Sequence, residues 1–214
     1  MINLPLFVFV NGPPESGKST LCKLLTDSQP SVWQEGFAEP IRAMILSTFF
    51  PDQGPLEYSI DLKDAKVKAS PLLALAGIDP GIPAAGGLTV RRAMIEWSDN
   101  YMKRLFGPAI FGQLAYRRCQ EQAHFYETFI FDDSGFVHET QFIIDQVGAA
   151  RCFLIRLHRE GCTYDSDSRS YIDLPCSSAD IVNDGTEAEL LQKLEALFGA
   201  HDPLTETIPS TPEL

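Results

Sequence analysis

Residues 12 to 19 read Gly12-Pro13-Pro14-Glu15-Ser16-Gly17-Lys18-Ser19, with Thr20 directly behind. These types at this spacing suit one chemistry, the holding of a chain of phosphates. Glycine at both ends of the turn permits backbone angles that a Cβ disfavours, so successive N–H groups can aim at phosphate oxygens. The Lys18 ammonium can reach the β- and γ-phosphates, and the Ser19 hydroxyl is a natural Mg²⁺ ligand. Gly12, Glu15, Ser16, Gly17, Lys18, Ser19 and Thr20 are therefore expected to cradle a nucleoside triphosphate, with Mg²⁺ beside it.

Such a loop works only between a strand and a helix, where free amides and the helix dipole favour an anion. Leu6 to Val10 is an apolar run of strand length, and Lys18 to Ser28 carries Leu21, Leu24 and Leu25 at helical spacing. The required setting is present.

Phosphoryl transfer also needs a strand-end acid, cations around the moving group and a site for the acceptor. Asp132-Asp133 closes the apolar run Phe129-Ile130-Phe131. Ligands gather at the carboxyl ends of strands in open parallel sheets, so one of this pair is expected to hold the metal and one to accept a proton or serve the acceptor. Asp132 is taken for the metal and Asp133 for catalysis and acceptor binding, and the residue pattern leaves the choice between them open. The plain alternative is a pair of solvated turn residues. Arg156, Arg159 and Arg169 follow the next strand, around the polar stretch Asp165-Ser166-Asp167-Ser168. They are candidates to fold over the phosphates and stabilise transition-state charge, against the alternative of ordinary surface arginines.

Arg42, Arg91 and Arg92 fall in a helical stretch where a second anionic substrate would need fixed cations. Arg91 and Arg92 are adjacent and point about 100° apart on a helix. Glu96 lies one turn from Arg92, either part of that substrate site or a simple helix-surface ion pair. The aromatics Trp97, Tyr101, Phe106 and Phe111 are expected in the core. The four histidines show no metal-ligand spacing.

The chain has 214 residues, 44% of them hydrophobic, and a formal net charge of −12. That suits one domain with an insert and argues against nucleic acid as a partner, because a phosphate backbone calls for a cationic surface. Five scattered cysteines without a C-x-x-C pair fit reduced thiols rather than a disulfide frame or zinc. No apolar stretch approaches membrane length, so a cytoplasmic protein without a membrane partner is expected.

Along the chain, Ser31 to Gln34 reads as a strand, and Pro40 opens a helix to Phe49. A break follows at Pro51 to Pro55, then a loosely helical 56–76 and a glycine-rich loop 77–87. One helix is expected from Val90 to about Leu105, capped by Thr89, and another over 109–122. Strands at 129–131, 152–155 and 181–182 alternate with a helix over 139–147 and one opened by the capping box Thr186-x-x-Glu189. The alternation implies an α/β fold with a mostly parallel sheet covered on both faces. Residues 200–214 read as a disordered tail.

Taken in order, the loop, Phe37-Ala38-Glu39-Pro40-Ile41-Arg42, Val90-Arg91-Arg92-Ala93-Met94, Phe131-Asp132-Asp133-Ser134-Gly135-Phe136-Val137-His138-Glu139, Ile155-Arg156 and Asp180 to Thr186 resemble the bacteriophage-type deoxynucleoside monophosphate kinases. The likeness runs to about residue 198, and the loop is its one highly specific element. It implies a three-layer P-loop NTPase fold with about five strands: a core of 1–36 and 124–199, a helical monophosphate-binding insert of about 37–123, and a lid of about 157–175. It implies transfer of the ATP γ-phosphate to a deoxynucleoside 5′-monophosphate. It also implies Arg42 and Arg92 on the substrate-phosphate side, Asp133 as the strand-end carboxylate, and Asn183, Gly185 and Thr186 near the ATP base. A homodimer is left open, and a viral enzyme would act in host cytoplasm.

Two departures stand out. Gly135 and His138 replace the Arg and Asn of the family's Asp-x-Arg-Phe-x-Asn-Glu, and Arg169-Ser170 stands where the lid's His-x-Ser-Glu belongs. Both fall near the acceptor, leaving a modified base open, and Arg169 becomes a candidate for the charge that Gly135 lacks. Two other readings are a P-loop kinase for another hydroxylated acceptor, such as a small metabolite or a hydroxymethylated base in DNA, and a nucleotide-binding module without turnover.

Overall fold

The computed structural model describes residues 6–51, 61–79, 87–165, 167 and 169–199. Five strands form one sheet, β1 (Phe7–Asn11), β2 (Val32–Glu35), β3 (Thr128–Phe131), β4 (Cys152–His158) and β5 (Ser177–Val182), in the order β2-β3-β1-β4-β5. Every pairing is parallel, and the fold is the expected three-layer P-loop-type α/β arrangement. Parallel neighbours need long crossovers. Helices lie between β1 and β2, β2 and β3, and β3 and β4, whereas the described residues between β4 and β5 form no helix.

The strand residues alternate between two covered faces, which is why β1, β3 and much of β4 read as continuous apolar runs. Val8, Val10, Ile130, Phe153, Ile155 and Leu157 pack with Leu21 and Leu25 of α1 (Lys18–Ser28) and Leu190, Leu194 and Phe198 of α9 (Glu187–Gly199). The opposite face is aromatic. Phe7 stacks near Phe129 at 5.5 Å and Tyr116 at 6.3 Å, and Tyr116 meets Phe142 edge-on. Tyr116 lies on α7 (Ile110–Gln122) and Phe142 on α8 (Val137–Val147). Each such phenylalanine contributes about 2 kcal/mol on burial.

By compactness the chain divides into two units, Met1–Phe37 with Ala115–Leu214, and Ala38–Leu114. The first holds the sheet. The second is helical, with α2 (Glu39–Phe49), α3 (Ala65–Ala69), α4 (Leu72–Leu75), α5 (Val90–Ile95), a π-helical segment Glu96–Met102, α6 (Lys103–Phe106) and the start of α7. Its second boundary, Leu114, falls inside α7 rather than near residue 123. An isolated antiparallel bridge joins Pro71 to Thr89, with Leu72 N–H on Leu88 O at 2.8 Å and Val90 N–H on Ser70 O at 3.0 Å.

The sequence expectations need three corrections and one refinement. The helix expected over 90–105 runs unbroken from Val90 to Phe106, but its middle is π-wound, with Lys103 N–H reaching back five residues to Ser98 O. Tyr101 and Phe106 are 58% exposed each, not core, whereas Phe111 is buried and Trp97 packs against Phe49. β5 begins at Ser177, four residues earlier than expected, because an edge strand facing water carries polar residues that hide its period. β4, an interior strand, extends to His158 because Arg156 and His158 flank buried Leu157 and end the apolar run before the strand itself ends. The breaker at 51–55, most of the 77–87 loop and the 200–214 tail lie largely or wholly outside the described residues.

Candidate phosphate-binding site

The chain leaves β1 at Asn11 and turns through residues 12–17 into α1. Gly17 caps the helix at φ 98, and Glu15, at φ 63, is the one non-glycine in the left-handed region among the described residues. Two left-handed residues bracket Ser16, a backbone setting that can turn successive amides toward one side and suit an anion. The N-cap residue Gly17 has no side chain with which to cap the first turn of α1. Gly12 and Ser16 are buried, and Thr20 is half-buried on the first turn.

Lys18 Nζ bonds back to Pro13 O at 2.5 Å. Burial, and then the nearby Arg169 charge, lower its pKa to about 8, while Asp132 and Asp167 pull the other way. An anion in the loop would relieve both effects. The Ser19 hydroxyl donates to Asp132 Oδ2 at 3.1 Å, and Gln34 Nε2 donates to the same oxygen at 2.9 Å. Asp132 is buried at the end of β3.

The adjacent carboxylate has another task. Asp133 Oδ1 accepts the Phe37 N–H at 2.9 Å, tying the end of β3 to the turn after β2. The two acids point to different partners because they lie on consecutive residues leaving a strand. Asp132 faces Ser19, and Asp133 faces the turn.

The three arginines separate. Arg159 Nη1 donates to Glu15 O at 3.2 Å and so reaches the loop. Arg169 forks onto Asp167, and its charge is felt by both Lys18 and Asp133. Arg156 goes elsewhere. It sits opposite Asp180 in the β4–β5 register, grips that carboxylate with Nε at 3.2 Å and Nη2 at 3.0 Å, and donates to Asp173 at 2.9 Å. Asp180 is held at about 2 by Arg156 and His158. The structure does not bring Arg156 to the loop.

Asn183 donates from Nδ2 to Ser16 O at 2.8 Å, and its amide fills the space where a Cβ on Gly17 would stand. It braces the loop from the end of β5. Gly185 precedes Thr186, which forms the predicted capping box: Thr186 N–H bonds Glu189 Oε2 at 2.7 Å and Glu189 N–H bonds Thr186 Oγ1 at 3.3 Å.

The remaining candidates lie in the helical unit. Arg42 is buried, with Nε 3.6 Å from Glu39, which Lys63 also meets at 3.1 Å. Arg92 pairs with Glu96 on the exposed helix surface, the plainer of the two readings for that pair. Arg91 is exposed.

Two positions escaped the sequence reading. Asn11, fully buried, donates from Nδ2 to Ser134 O at 2.7 Å, Tyr164 Oη at 3.0 Å and Ser170 O at 3.0 Å, and accepts Ile172 N–H at 3.1 Å. One amide thus joins β1, the turn after β3 and the 164–172 segment. Glu35, buried at the end of β2, accepts Arg118 Nε at 3.1 Å and Nη2 at 2.9 Å, and Gly36 N–H at 2.9 Å. A polar residue ending an apolar strand was the available signal for Asn11, whereas Glu35 ends a strand that is half polar and gave none; their partners are too distant in sequence to be read from it.

Among the described residues no group of three or more His, Cys, Asp or Glu could hold a metal by itself. A magnesium ion needs no such cage, since one or two protein oxygens with substrate phosphates and waters suffice, and Ser19 with Asp132 fits that donor set. None of the five cysteines forms a disulfide. Among the described residues no helix is long and apolar enough to cross a membrane. No known protein family model matches the chain, and neither does any curated protein sequence.

Proposed function

We propose that the chain is an ATP- and Mg²⁺-dependent kinase that phosphorylates a deoxynucleoside 5′-monophosphate to the diphosphate, supplying precursors for viral DNA synthesis in host cytoplasm. The observation that carries the phosphate-transfer reading is the Ser19–Asp132 hydrogen bond at the foot of a loop that holds two left-handed residues, Glu15 and Gly17. A loop hydroxyl paired with a strand-end carboxylate is the donor set for a metal on the β- and γ-phosphates. Bound there, magnesium would neutralise charge developing between the phosphates.

The chain's own residues would divide the work. The loop amides and Lys18 hold the triphosphate, Arg159 and Arg169 approach from the segment after β4, and Asp133 serves the acceptor side. The class of acceptor rests on the family resemblance, with Arg42, Arg91 and Arg92 as candidates for its phosphate. Gly135 and His138 stand where the resembled family has Arg and Asn, which leaves a modified base open as the acceptor.

The test is ADP release with ATP and Mg²⁺ across ribo- and deoxynucleoside monophosphates, including modified bases. Turnover with one deoxynucleotide well above the others is expected. ATP binding without ADP release for any acceptor would overturn the reading and leave a non-catalytic nucleotide-binding module. Turnover only with a hydroxylated metabolite or DNA would favour a different acceptor.

A further inference from the structure

Arg169 is fixed in an unusual way. Its stem runs across Gly135, where an added Cβ would meet Arg169 Cδ at 2.5 Å, Cγ at 2.7 Å and Cβ at 2.9 Å. Any side chain at 135 would have to displace the arginine. At its far end the guanidinium is gripped by Asp167: Nε donates to Oδ1 at 2.9 Å and Nη2 to Oδ2 at 2.6 Å, and the Arg169 backbone N–H bonds Oδ1 at 3.1 Å. The Asp167 side chain is 3% exposed and that of Arg169 20%.

A bidentate fork of this kind fixes the plane of the guanidinium as well as its position. It occupies Nε and Nη2, and Nη1 has no hydrogen-bond acceptor among the described residues. Gly135 lies two residues beyond Asp133 and three beyond Asp132, so the crossing point is at the carboxyl end of β3, beside the residues that face Ser19 and the turn after β2. A buried ion pair is a poor way to gain stability alone. One that leaves a rigid guanidinium edge beside a phosphate loop is well suited to stabilising charge as it develops.

We propose that Asp167 is a positioning residue: across the notch left by Gly135 it aims the free edge of Arg169 at the phosphoryl group held by the loop. This rests on the kinase reading given above. Asp167 touches no substrate and acts through Arg169. Gly135 contributes by having no side chain, which couples the glycine after β3 to the arginine 34 positions later.

The test uses the full chain with ATP, Mg²⁺ and its best acceptor. Asp167→Ala and Arg169→Ala are each expected to lower kcat at least about tenfold while KM changes less than about threefold, the pattern of an interaction made in the transition state. The double variant should be no slower than Arg169→Ala alone, and Asp167→Glu should recover part of the loss. Additive losses would overturn the proposal. A second readout does not depend on turnover. The Arg169 Nε–H resonance should be observable in the unmodified chain, shift on adding inorganic tripolyphosphate, and vanish in both Asp167→Ala and Gly135→Ala. A resonance that tripolyphosphate leaves in place, or that survives Asp167→Ala, would overturn it. Should no acceptor give ADP, the kinase reading fails and the resonance still decides the role of Asp167.

Discussion

Ser19 and Asp132 are 113 residues apart in sequence, and the hydroxyl of one donates to the carboxylate of the other at 3.1 Å. That bond joins the first turn of α1 to the end of β3 and marks where a metal on bound phosphates would stand. It also separates Asp132 from Asp133, which bonds Phe37 N–H instead.

Asp132→Asn should therefore remove Mg²⁺-dependent turnover, by at least about a hundredfold, while the protein still folds. Asp133→Asn should change acceptor kinetics more than metal dependence. Turnover measured against Mg²⁺ concentration distinguishes them, and equal metal dependence in both variants would contradict the assignment.

Lys18→Ala should abolish phosphoryl transfer and leave the melting temperature close to that of the unmodified chain. The ammonium is held by one loop carbonyl at 2.5 Å and its burial works against its charge, so its removal costs little stability. A coupled ADP assay and a thermal scan on the same preparation check both halves.

At Gly17, alanine combines two penalties. The residue sits at φ 98, which costs an L-residue about 1–2 kcal/mol, and the new methyl would strike the Asn183 amide. Asn183→Ala should restore part of the lost stability in Gly17→Ala. Denaturant midpoints of the single and double variants give the answer.

Asn11→Ala removes an amide whose two N–H groups are shared among Ser134 O, Tyr164 Oη and Ser170 O and whose oxygen accepts Ile172 N–H, with the Ser134 and Ile172 contacts buried and the other two part-buried. A loss of about 3 kcal/mol is expected, since the abandoned Ser134 and Ile172 groups stay buried. Protease cleavage within 159–176 should accelerate as the 164–172 segment is released. Unchanged cleavage would mean that the segment is held by other contacts.

Acid stability should report on Arg156. Asp180 has its pKa lowered from 3.8 to about 2, first by the hydrogen bond from Arg156 and then by His158. A depressed folded-state pKa means that the unfolded chain binds the proton more readily, so the stabilisation is complete above about pH 4 and lost as pH falls toward 2. Because Asp180 is half-exposed, the effect is small and weakened by salt. Arg156→Met should flatten the fall in melting temperature across that window, and kcat near neutral pH should change little, because the guanidinium faces β5.

The strand–loop–helix start, the acids after Phe131, the capping box at Thr186 and the helices at 18–28 and 39–49 were legible because each is a local pattern, a run or a period within a few residues. Where the pattern was not apolar, legibility failed. β5 begins in Ser-Ser-Ala-Asp at a sheet edge, and the π turn at 96–102 depends on a shifted bond that no residue type announces.

What the chain alone determined is the chemistry on offer, because the G-x-x-x-x-G-K-S motif is contiguous, although only one of its two left-handed positions, Gly17, is a glycine and the other is Glu15. Which of the more distant residues reach that loop was decided only by the sheet order β2-β3-β1-β4-β5. Setting β1 between β3 and β4 brings Asp132 to Ser19, while pairing β4 with β5 turns Arg156 toward Asp180. The segment after β4 then carries Arg159 to Glu15 and Arg169 across Gly135. Such meetings depend on register and crossover between residues tens to more than a hundred positions apart, which no local periodicity encodes.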